Sequence, residues 1–305
     1  MRAVAAAASD HRGRPWRCEG LTDLSDRASH PCGIFQGTPF SVFAKLATGA
    51  DGVAQVTAEV RGLALIRELS GVTTPVPVGP GMVNVDGGAL LLSQALPEKG
   101  AGAGLPSEHR TPEDYAAIGR ALALLHRVRG ESFGLTAFDG FYGPLRQSNA
   151  PVAPDTWASF YAERRVLPML RRAVDSGQLP ARLAAGAERV VFRLPELCGP
   201  DPVPALLHGD AQQNNFVSVP GDAALIDVAP HFGHPEFDLA LVDFFSPVPG
   251  SLFAAYREIA PIDPGFPARR ELWRLAGYLA VVAVDGGSPF GRATLIRLAT
   301  ALGET

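Results

Sequence analysis

The amino-acid sequence predicts an α+β protein with two lobes, a small N-terminal lobe rich in β-strands and a larger C-terminal lobe that is mostly helical. Short runs of aromatic and β-branched residues, bounded by glycine and proline, concentrate in the first third of the chain and are typical of strands. Beyond residue 111 the apolar residues recur at helical spacing. A segment rich in Gly, Pro and charged residues separates the two patterns. We therefore expect an N-terminal lobe over residues 1–96, a linker over 97–110 and a helical lobe over 111–305.

The N-terminal lobe is predicted from a strand, a helix and a second strand. Residues 40–46 (FSVFAKL) are aromatic and β-branched, which predicts a strand with Lys45 near its end. Apolar residues recur every three or four positions over 53–69, which predicts a helix with Glu59 at the edge of its apolar face. Residues 89–92 predict a buried strand. The lobe therefore carries a lysine on a strand and a glutamate on the helix that follows.

The helical lobe opens with the clearest helix signal in the chain. Thr111 and Pro112 form an N-cap and first-turn pair ahead of a regular apolar stripe. Helices are also predicted over residues 155–174 and 180–197, and short strands and turns over 205–226. The remaining helical segments are predicted around Asp238, Ser251, Arg269 and Pro289.

Composition narrows the classes of function. The chain has 47% hydrophobic residues and a net charge of -4, which excludes disorder and gives no overall electrostatic footprint for nucleic acid. The longest apolar run, residues 275–284, is about half of what spans a bilayer. Three cysteines without CxxC spacing argue against disulfides and structural zinc, and residues 1–9 predict a frayed N-terminus instead of a signal peptide. We expect a cytoplasmic monomer or homodimer with neither nucleic acid nor membrane as a partner.

The densest polar cluster follows the apolar run 205–207. It covers His208 to Asn215, and Asp227 comes twelve residues later, after a short apolar strand. An aspartate, an amide five residues on and a second aspartate are what phosphoryl transfer from a nucleotide requires. One carboxylate orients the acceptor hydroxyl, while the amide and the other carboxylate offer oxygen ligands to magnesium. Asp and Asn in loops also cap backbone amides, but the order and spacing favour the catalytic interpretation.

Phosphoryl transfer also needs a fixed positive charge at the nucleotide phosphates. Lys45 on its strand, with Glu59 on the next helix, matches that requirement. Lysine is scarce here, because only Lys45 and Lys99 occur among 27 basic residues. The alternative is an edge-strand lysine that extends its charge into solvent.

These features resemble a known family, the protein-kinase-like small-molecule kinases, which include aminoglycoside phosphotransferases and especially fructosamine (ketosamine) kinases. The resemblance covers about residues 40–285. It is carried by an ordered series of motifs: Lys45, Glu59, Ser70-Gly71-Val72 with Pro75, Gly119-Arg120-Ala121-Leu122 with Leu125-His126, Phe133-Gly134, Gln147-Ser148-Asn149, Trp157, Phe160-Tyr161-Ala162-Glu163-Arg164-Arg165 with Leu167-Pro168, Leu206 to Asp210, and Gly233 to Ala240.

The resemblance implies a protein-kinase-like fold, ATP or GTP with Mg²⁺, and roles for particular residues. Asp210 would be the catalytic aspartate, with Asn215 and Asp227 as magnesium ligands. Lys45 would bind the phosphates and be held by Glu59. His208 and Asp238 would support the catalytic loop, and Gln94 and Leu96 would offer backbone groups to the adenine.

Two departures from the family pattern bear on function. Residues 20–35 contain no obvious glycine-rich loop, and residues 211–214 (AQQN) replace the leucine, tryptophan, serine and glycine that usually precede the asparagine. The expected partner is a small sugar-containing acceptor, with a ketosamine favoured. One alternative is an antibiotic phosphotransferase acting on an aminoglycoside or a nucleoside antibiotic and giving resistance. Another is a pseudokinase, a nucleotide-binding module without transfer activity.

Overall fold

A computed structural model of the protein describes residues 1–27, 30–97 and 110–304. Most of the linker expected at 97–110, with Lys99 in it, lies outside the described residues. The chain divides into two compact units. The first comprises Met1–Leu124, Asn214–Ala229 and Pro249–Ile259, and the second comprises Leu125–Gln213, Pro230–Val248 and Ala260–Thr305. A strand-rich N-terminal region and a mostly helical C-terminal region confirm the predicted α+β class.

The first unit is built on a five-stranded antiparallel sheet. Its strands lie in the order β1-β2-β3-β5-β4, so the last two strands in sequence are exchanged in space. The strands are β1 (Gly20–Asp23), β2 (Cys32–Gln36), β3 (Val42–Thr48), β4 (Pro77–Val85) and β5 (Gly88–Gln94). Strand β3 is central and pairs with β2 and β5.

A helix covers each face of this sheet. Helix α1 (Arg2–Arg12) packs on β3 and β4, where Ala44 and Leu92 belong to its apolar cluster. Helix α2 (Gly52–Ser70) packs on the face that carries Ala47 and Leu91. Because successive strand residues point to opposite faces, this alternation assigns Lys45 to the α2 side.

The remaining elements of the first unit come from three parts of the chain. Helix α3 (Pro112–His126) starts with a capping box, in which the Thr111 amide donates to Asp114 Oδ2 over 2.8 Å and the Asp114 amide donates to Thr111 Oγ1 over 3.3 Å. Strands β9 (Phe216–Val219) and β10 (Asp222–Leu225) form a hairpin. Helix α9 (Gly250–Arg257) passes so close to Gly119 that a Cβ there would lie 2.1 Å from the Leu252 carbonyl oxygen.

The second unit packs around helix α10 (Phe266–Asp285). This helix contacts α5 (Leu167–Asp175), α8 (Pro235–Leu241) and α11 (Pro289–Ala301). One cluster of aromatic side chains in this unit contains Trp157 and Trp273, which are both fully buried. The other elements of this unit are β6 (Gly140–Tyr142), β7 (Leu145–Gln147), α4 (Trp157–Tyr161), α6 (Ala181–Phe192), α7 (Leu194–Leu197), β8 (Ala205–Leu206) and β11 (Phe232–Gly233).

Two sequence-based expectations were wrong. The N-terminus is not frayed, because residues 2–12 form α1 and bury Val4, Ala7 and Ala8 against the sheet. Strand β4 was not predicted, because Pro75 and Pro77 interrupt the pattern. Pro77 is nevertheless the first residue of the strand, a position where its missing amide is tolerated.

The helix expected over 155–174 is broken into two parts. A π-helical turn, Ala162–Val166, joins α4 to α5, and Pro168 lies in the first turn of α5, where proline is compatible with a helix. Among the described residues, no helix is both long and apolar enough to cross a membrane.

Candidate active site

Lys45 owes its position to the register of the central strand. It pairs with Leu91 on β5 and with Cys32 on β2, so it sits in the middle of the sheet on the side covered by α2. Glu59 lies on α2, three residues after the buried Val56, and therefore faces the same side. The strand period and the helix period together bring the two side chains into contact.

Lys45 is held between two carboxylates. Its Nζ lies 2.6 Å from Glu59 Oε2, and it also donates to Asp227 Oδ1. Only 13% of the Lys45 side chain and 15% of the Glu59 side chain are exposed. Burial alone would lower the pKa of Lys45, but Asp227 and Glu59 outweigh it and raise that pKa above its ordinary value. The lysine is therefore a permanent cation.

Glu59 responds in the opposite way to the same surroundings. Burial raises the pKa of Glu59, and the charge of Lys45 only partly offsets this effect. The pKa of a buried carboxylate rises because its charged form loses hydration. Because Lys45 favours the ionised form of Glu59 and burial opposes it, the charge of Glu59 depends on Lys45. The two residues therefore act as a pair.

Asp227 follows β10 in a backbone conformation that aims its side chain. Its φ of 52° is the only positive value for a non-glycine residue in the described part of the chain, and aspartate tolerates this region better than most residues. The Ile226 amide donates to the Asn215 carbonyl oxygen over 3.0 Å. Since Asn215 precedes β9 and Asp227 follows β10, the hairpin brings them to the same end of the two strands.

The donor set at this end of the hairpin fits magnesium. It offers a carboxylate and an amide oxygen and no sulfur or imidazole, which is what a hard cation prefers. The Asp227 side chain is 46% exposed, so it remains accessible while one of its oxygens accepts from Lys45. Asn215 and Asp227 are therefore suited to hold Mg²⁺ beside a fixed positive charge.

Gln94 and Leu96 lie at and just beyond the end of β5. The Gln94 amide donates to the Val76 carbonyl oxygen over 2.7 Å, and the Ala95 amide donates to Ser41 over 2.8 Å. Both amides are thus used within the sheet. A contribution from Gln94 to an adenine would have to come from its carbonyl group.

The second unit fixes the loop that carries Asp210. The loop turns at Gly209, whose φ of 83° lies in the left-handed region that favours glycine. The amides of His208 and Gly209 donate to the two carboxylate oxygens of Asp238, over 2.6 and 3.0 Å. The Asp210 amide donates to His208 Nδ1 over 3.3 Å. Asp238 and His208 therefore both contact the backbone of the loop that carries Asp210.

Asp238 is fully buried and is further stabilised by His126. His126 Nε2 lies 3.1 Å from Asp238 Oδ2, and both side chains are at most 1% exposed. Burial alone would raise the pKa of Asp238, but the hydrogen bonds from His126 and from the His208 backbone outweigh it and keep that pKa below its ordinary value. The sequence placed His126 beside core leucines and gave no sign of this contact, because the two residues are 112 positions apart.

Two further residues near Asp210 were not predicted. Gln212 Nε2 donates to both carboxylate oxygens of Asp210, over 3.2 and 3.4 Å. The second residue is Tyr142 on β6. Burial and then the charge of Asp210 raise the pKa of Tyr142 well above its ordinary value, so the two side chains interact electrostatically. The sequence signal for Gln212 was its departure from the family pattern, whereas Tyr142 had none.

The chain is similar to several known proteins. A family model for fructosamine kinase matches residues 1–296. "Probable ketoamine kinase" of Synechocystis sp. is 32% identical over 181 residues, which are 57% of this chain and 58% of that protein. The match thus spans less than two-thirds of the length of that relative. The chloroplastic protein-ribulosamine 3-kinase of Oryza sativa is 25% identical over 269 residues, 88% of this chain and 74% of that protein.

Solved structures show the same relationship. A Thermobifida fusca protein provisionally assigned as a fructosamine-3-kinase has 31% identity and a TM-score of 0.82, with both chains covered completely. A macrolide 2'-phosphotransferase from Brachybacterium faecium has 18% identity and a TM-score of 0.63, covering 100% of this chain and 99% of that one, which shows a shared fold. On the match over nearly its whole length, the chain belongs to the fructosamine kinase family.

Proposed function

We propose that this protein is a Mg²⁺-dependent kinase that transfers the terminal phosphoryl group of ATP or GTP to a sugar-type hydroxyl, with a ketosamine as the favoured acceptor. The observation that carries the proposal is the buried Lys45 held between Glu59 and Asp227. The pair places a buried, charged ammonium group directly beside a carboxylate that is 46% exposed, which is the combination that nucleotide phosphates and their metal ion need.

Lys45, Glu59, Asp227 and Asn215 have complementary roles in the proposed reaction. Glu59 holds Lys45 in place, so that its ammonium group can bind nucleotide phosphate oxygens as a compact point charge. Asn215 and Asp227 would hold Mg²⁺, which supplies neutralisation of charge on the phosphates. In the nucleotide complex Lys45 would then exchange Asp227 for phosphate while keeping Glu59.

Asp210 is the residue proposed to bind and deprotonate the acceptor hydroxyl. Its carboxylate would accept a hydrogen bond from the acceptor hydroxyl, orient the oxygen and take its proton during transfer. Asp238 acts one step away by fixing the loop backbone. The fold of the loop thus provides a carboxylate whose direction does not depend on the acceptor.

The family supports a ketosamine as acceptor. The names of the Synechocystis and Oryza sativa relatives refer to ketoamine and ribulosamine kinases. The phosphotransferase of Brachybacterium faecium, which acts on a macrolide by its name, shares the fold alone. An antibiotic acceptor is therefore the second candidate, favoured by residues 211–214, which differ from the family pattern beside Asp210.

The proposal is tested by Mg²⁺-dependent nucleotide consumption with a panel of ketosamines, aminoglycosides and nucleoside antibiotics. We expect turnover of at least one ketosamine by the wild type and none by Asp210→Asn. Turnover of an antibiotic but of no ketosamine would overturn the preferred acceptor. Nucleotide binding without turnover of any acceptor would overturn the kinase proposal in favour of a pseudokinase.

A further inference from the structure

Two consecutive glutamines after Asp210 have different surroundings. The Gln213 side chain is 1% exposed, and its Nε2 donates to the carbonyl oxygen and the Oγ of Ser246 over 2.9 and 2.6 Å. Gln212 is half-buried and its amide reaches only back along the chain, to the carboxylate of Asp210. Gln213 therefore anchors the loop, while Gln212 lies at the proposed acceptor-binding group.

The backbone on both sides imposes the position of Gln212. Asp210 precedes it on the loop held by Asp238 and His208. Ala211 is fully buried, and Gln213 is tied to Ser246. The side chain of Gln212 thus starts from a fixed point next to a carboxylate whose direction is also fixed.

The contacts between Gln212 and Asp210 are long enough to be exchanged. One amide nitrogen is shared between two oxygens over 3.2 and 3.4 Å, whereas a good N–H···O bond is about 2.9 to 3.0 Å. A hydroxyl that donates to a carboxylate approaches to about 2.5 to 2.7 Å and binds more strongly. An acceptor hydroxyl bound at Asp210 would therefore displace the amide from at least one of the carboxylate oxygens.

The displaced amide remains beside the reacting hydroxyl. A glutamine side chain offers two N–H donors and one carbonyl acceptor, so it can pair with an oxygen of either hydrogen-bonding type. The nearest such oxygen on a sugar is the one on a carbon next to the phosphorylated position. An isolated alcohol has no group to offer there.

We infer that Gln212 is a specificity-determining residue of the acceptor site, and that its amide binds an oxygen on the carbon adjacent to the reacting hydroxyl. The preferred acceptor is therefore one with two neighbouring oxygens. This inference rests on the proposed function, because it needs Asp210 to receive the acceptor. It adds a requirement on the substrate that the role of Asp210 does not contain.

Gln212→Leu tests the inference, because it keeps most of the volume of the side chain and removes its hydrogen bonds. The acceptors are a 1-amino-1-deoxyketose that the wild type phosphorylates and two analogues, each lacking the oxygen on one side of the phosphorylated carbon. With the parent acceptor we expect KM to rise about tenfold and kcat to change less than about twofold. Gln178→Leu, the same substitution at another half-buried position of the second unit, should leave both constants unchanged.

The analogues give the decisive comparison. One of them should show the raised KM already with the wild type, and Gln212→Leu should add nothing further with that analogue. Gln212→Asn, which keeps an amide but shortens the side chain, should lose the same discrimination and serves if the leucine variant does not fold. An equal KM increase with parent and both analogues, or no increase with any, would overturn the role of Gln212. A wild type that turns over no ketosamine, aminoglycoside or nucleoside antibiotic would instead overturn the proposed function, and with it this acceptor requirement.

Discussion

The carboxylates around Lys45 in the first unit and Asp238 in the second unit are held in different ways. In the first unit, Glu59 and Asp227 are both paired with the side chain of Lys45. In the second unit, Asp238 receives two backbone amides and His126. The first arrangement consists of ion pairs between side chains, which can change partner by rotation of a side chain, whereas backbone amides cannot move away without unfolding the loop.

In the proposed function, the first arrangement binds the nucleotide and the second holds the loop that carries Asp210. A cation held by two carboxylates can give up one of them when phosphates and a metal ion arrive, and the total charge stays compensated. The Asp238 carboxylate, which is bound by backbone amides, would keep the loop that carries Asp210 in one position during the reaction. We call the contacts of Lys45 with Glu59 and Asp227 the exchangeable arrangement, and those of Asp238 with the backbone and His126 the permanent arrangement. The following predictions test whether the two differ in binding and in stability.

The largest effect is expected at Asp210, which the permanent arrangement serves. Asp210→Asn should lower kcat about a thousandfold, because an amide cannot take the proton of the acceptor hydroxyl. Nucleotide binding, measured by titration calorimetry, should stay near the wild-type value. Asp86→Asn, an exposed substitution in the turn between β4 and β5, is the control. A comparable loss in the control, or wild-type kcat in Asp210→Asn, would contradict the assignment.

Removing the permanent carboxylate should destabilise the fold. Asp238→Ala leaves two buried amides and a buried histidine without their acceptor, so we expect the free energy of unfolding to fall by about 3 kcal/mol, measured by urea denaturation. Asp263→Ala removes an exposed partner of Arg269, whose bond to Glu236 remains, and should lower stability far less than Asp238→Ala does. Equal losses in the two variants would show that Asp238 is not the stronger support.

The stability of the second unit should also depend on pH, and the residue responsible is His234. His234 Nδ1 accepts the Glu236 amide over 3.2 Å at the start of α8, and burial lowers the pKa of His234 from 6.5 to about 4. The unfolded chain therefore binds this proton first, so stability falls as pH drops from about 6.5 towards 4. Between pH 7 and 5 the contribution of His234 to the free energy of unfolding should fall by up to about 2 kcal/mol.

The matched variant is His234→Asn, which keeps a cap acceptor and removes the titration. Its free energy of unfolding should vary less than that of the wild type over this pH range. Asp238 does not contribute to the pH dependence in this range. Its pKa is lowered from 3.8, so the stability that its charge provides is lost only below that pH. Parallel pH profiles for the variant and the wild type would exclude His234 as the source.

The smallest effect is expected for a change that preserves charge in the exchangeable arrangement. Lys45→Arg keeps the cation but replaces a compact ammonium group with a planar fork, which does not fit equally between Glu59 and phosphate. Nucleotide affinity should fall about tenfold in a fluorescence titration. Lys45→Met, which removes the charge, should bind more weakly still. Wild-type affinity in Lys45→Arg would mean that Lys45 does not contact the phosphates.

Local patterns predicted part of this arrangement. Lys45 and Glu59 lie on consecutive elements, so a strand signal and a helix signal were sufficient to place them near each other. Contacts over long separations gave no such signal. Lys45 meets Asp227 across 182 positions and His126 meets Asp238 across 112. The roles of these residues in nucleotide and acceptor binding remain predictions for the experiments above.

The sequence by itself determined the α+β class, most helices, and the residue types that phosphoryl transfer needs, because periodicity and side-chain chemistry are local properties. The tertiary structure alone decided that residues 2–12 cover one face of the sheet, since a short alanine-rich helix is stable only when packed. It also decided that Gln212 contacts Asp210, because the direction of that side chain depends on a loop fixed by Asp238, His208 and Ser246. Specificity of this kind arises from packing between distant segments and cannot be obtained from their separate patterns.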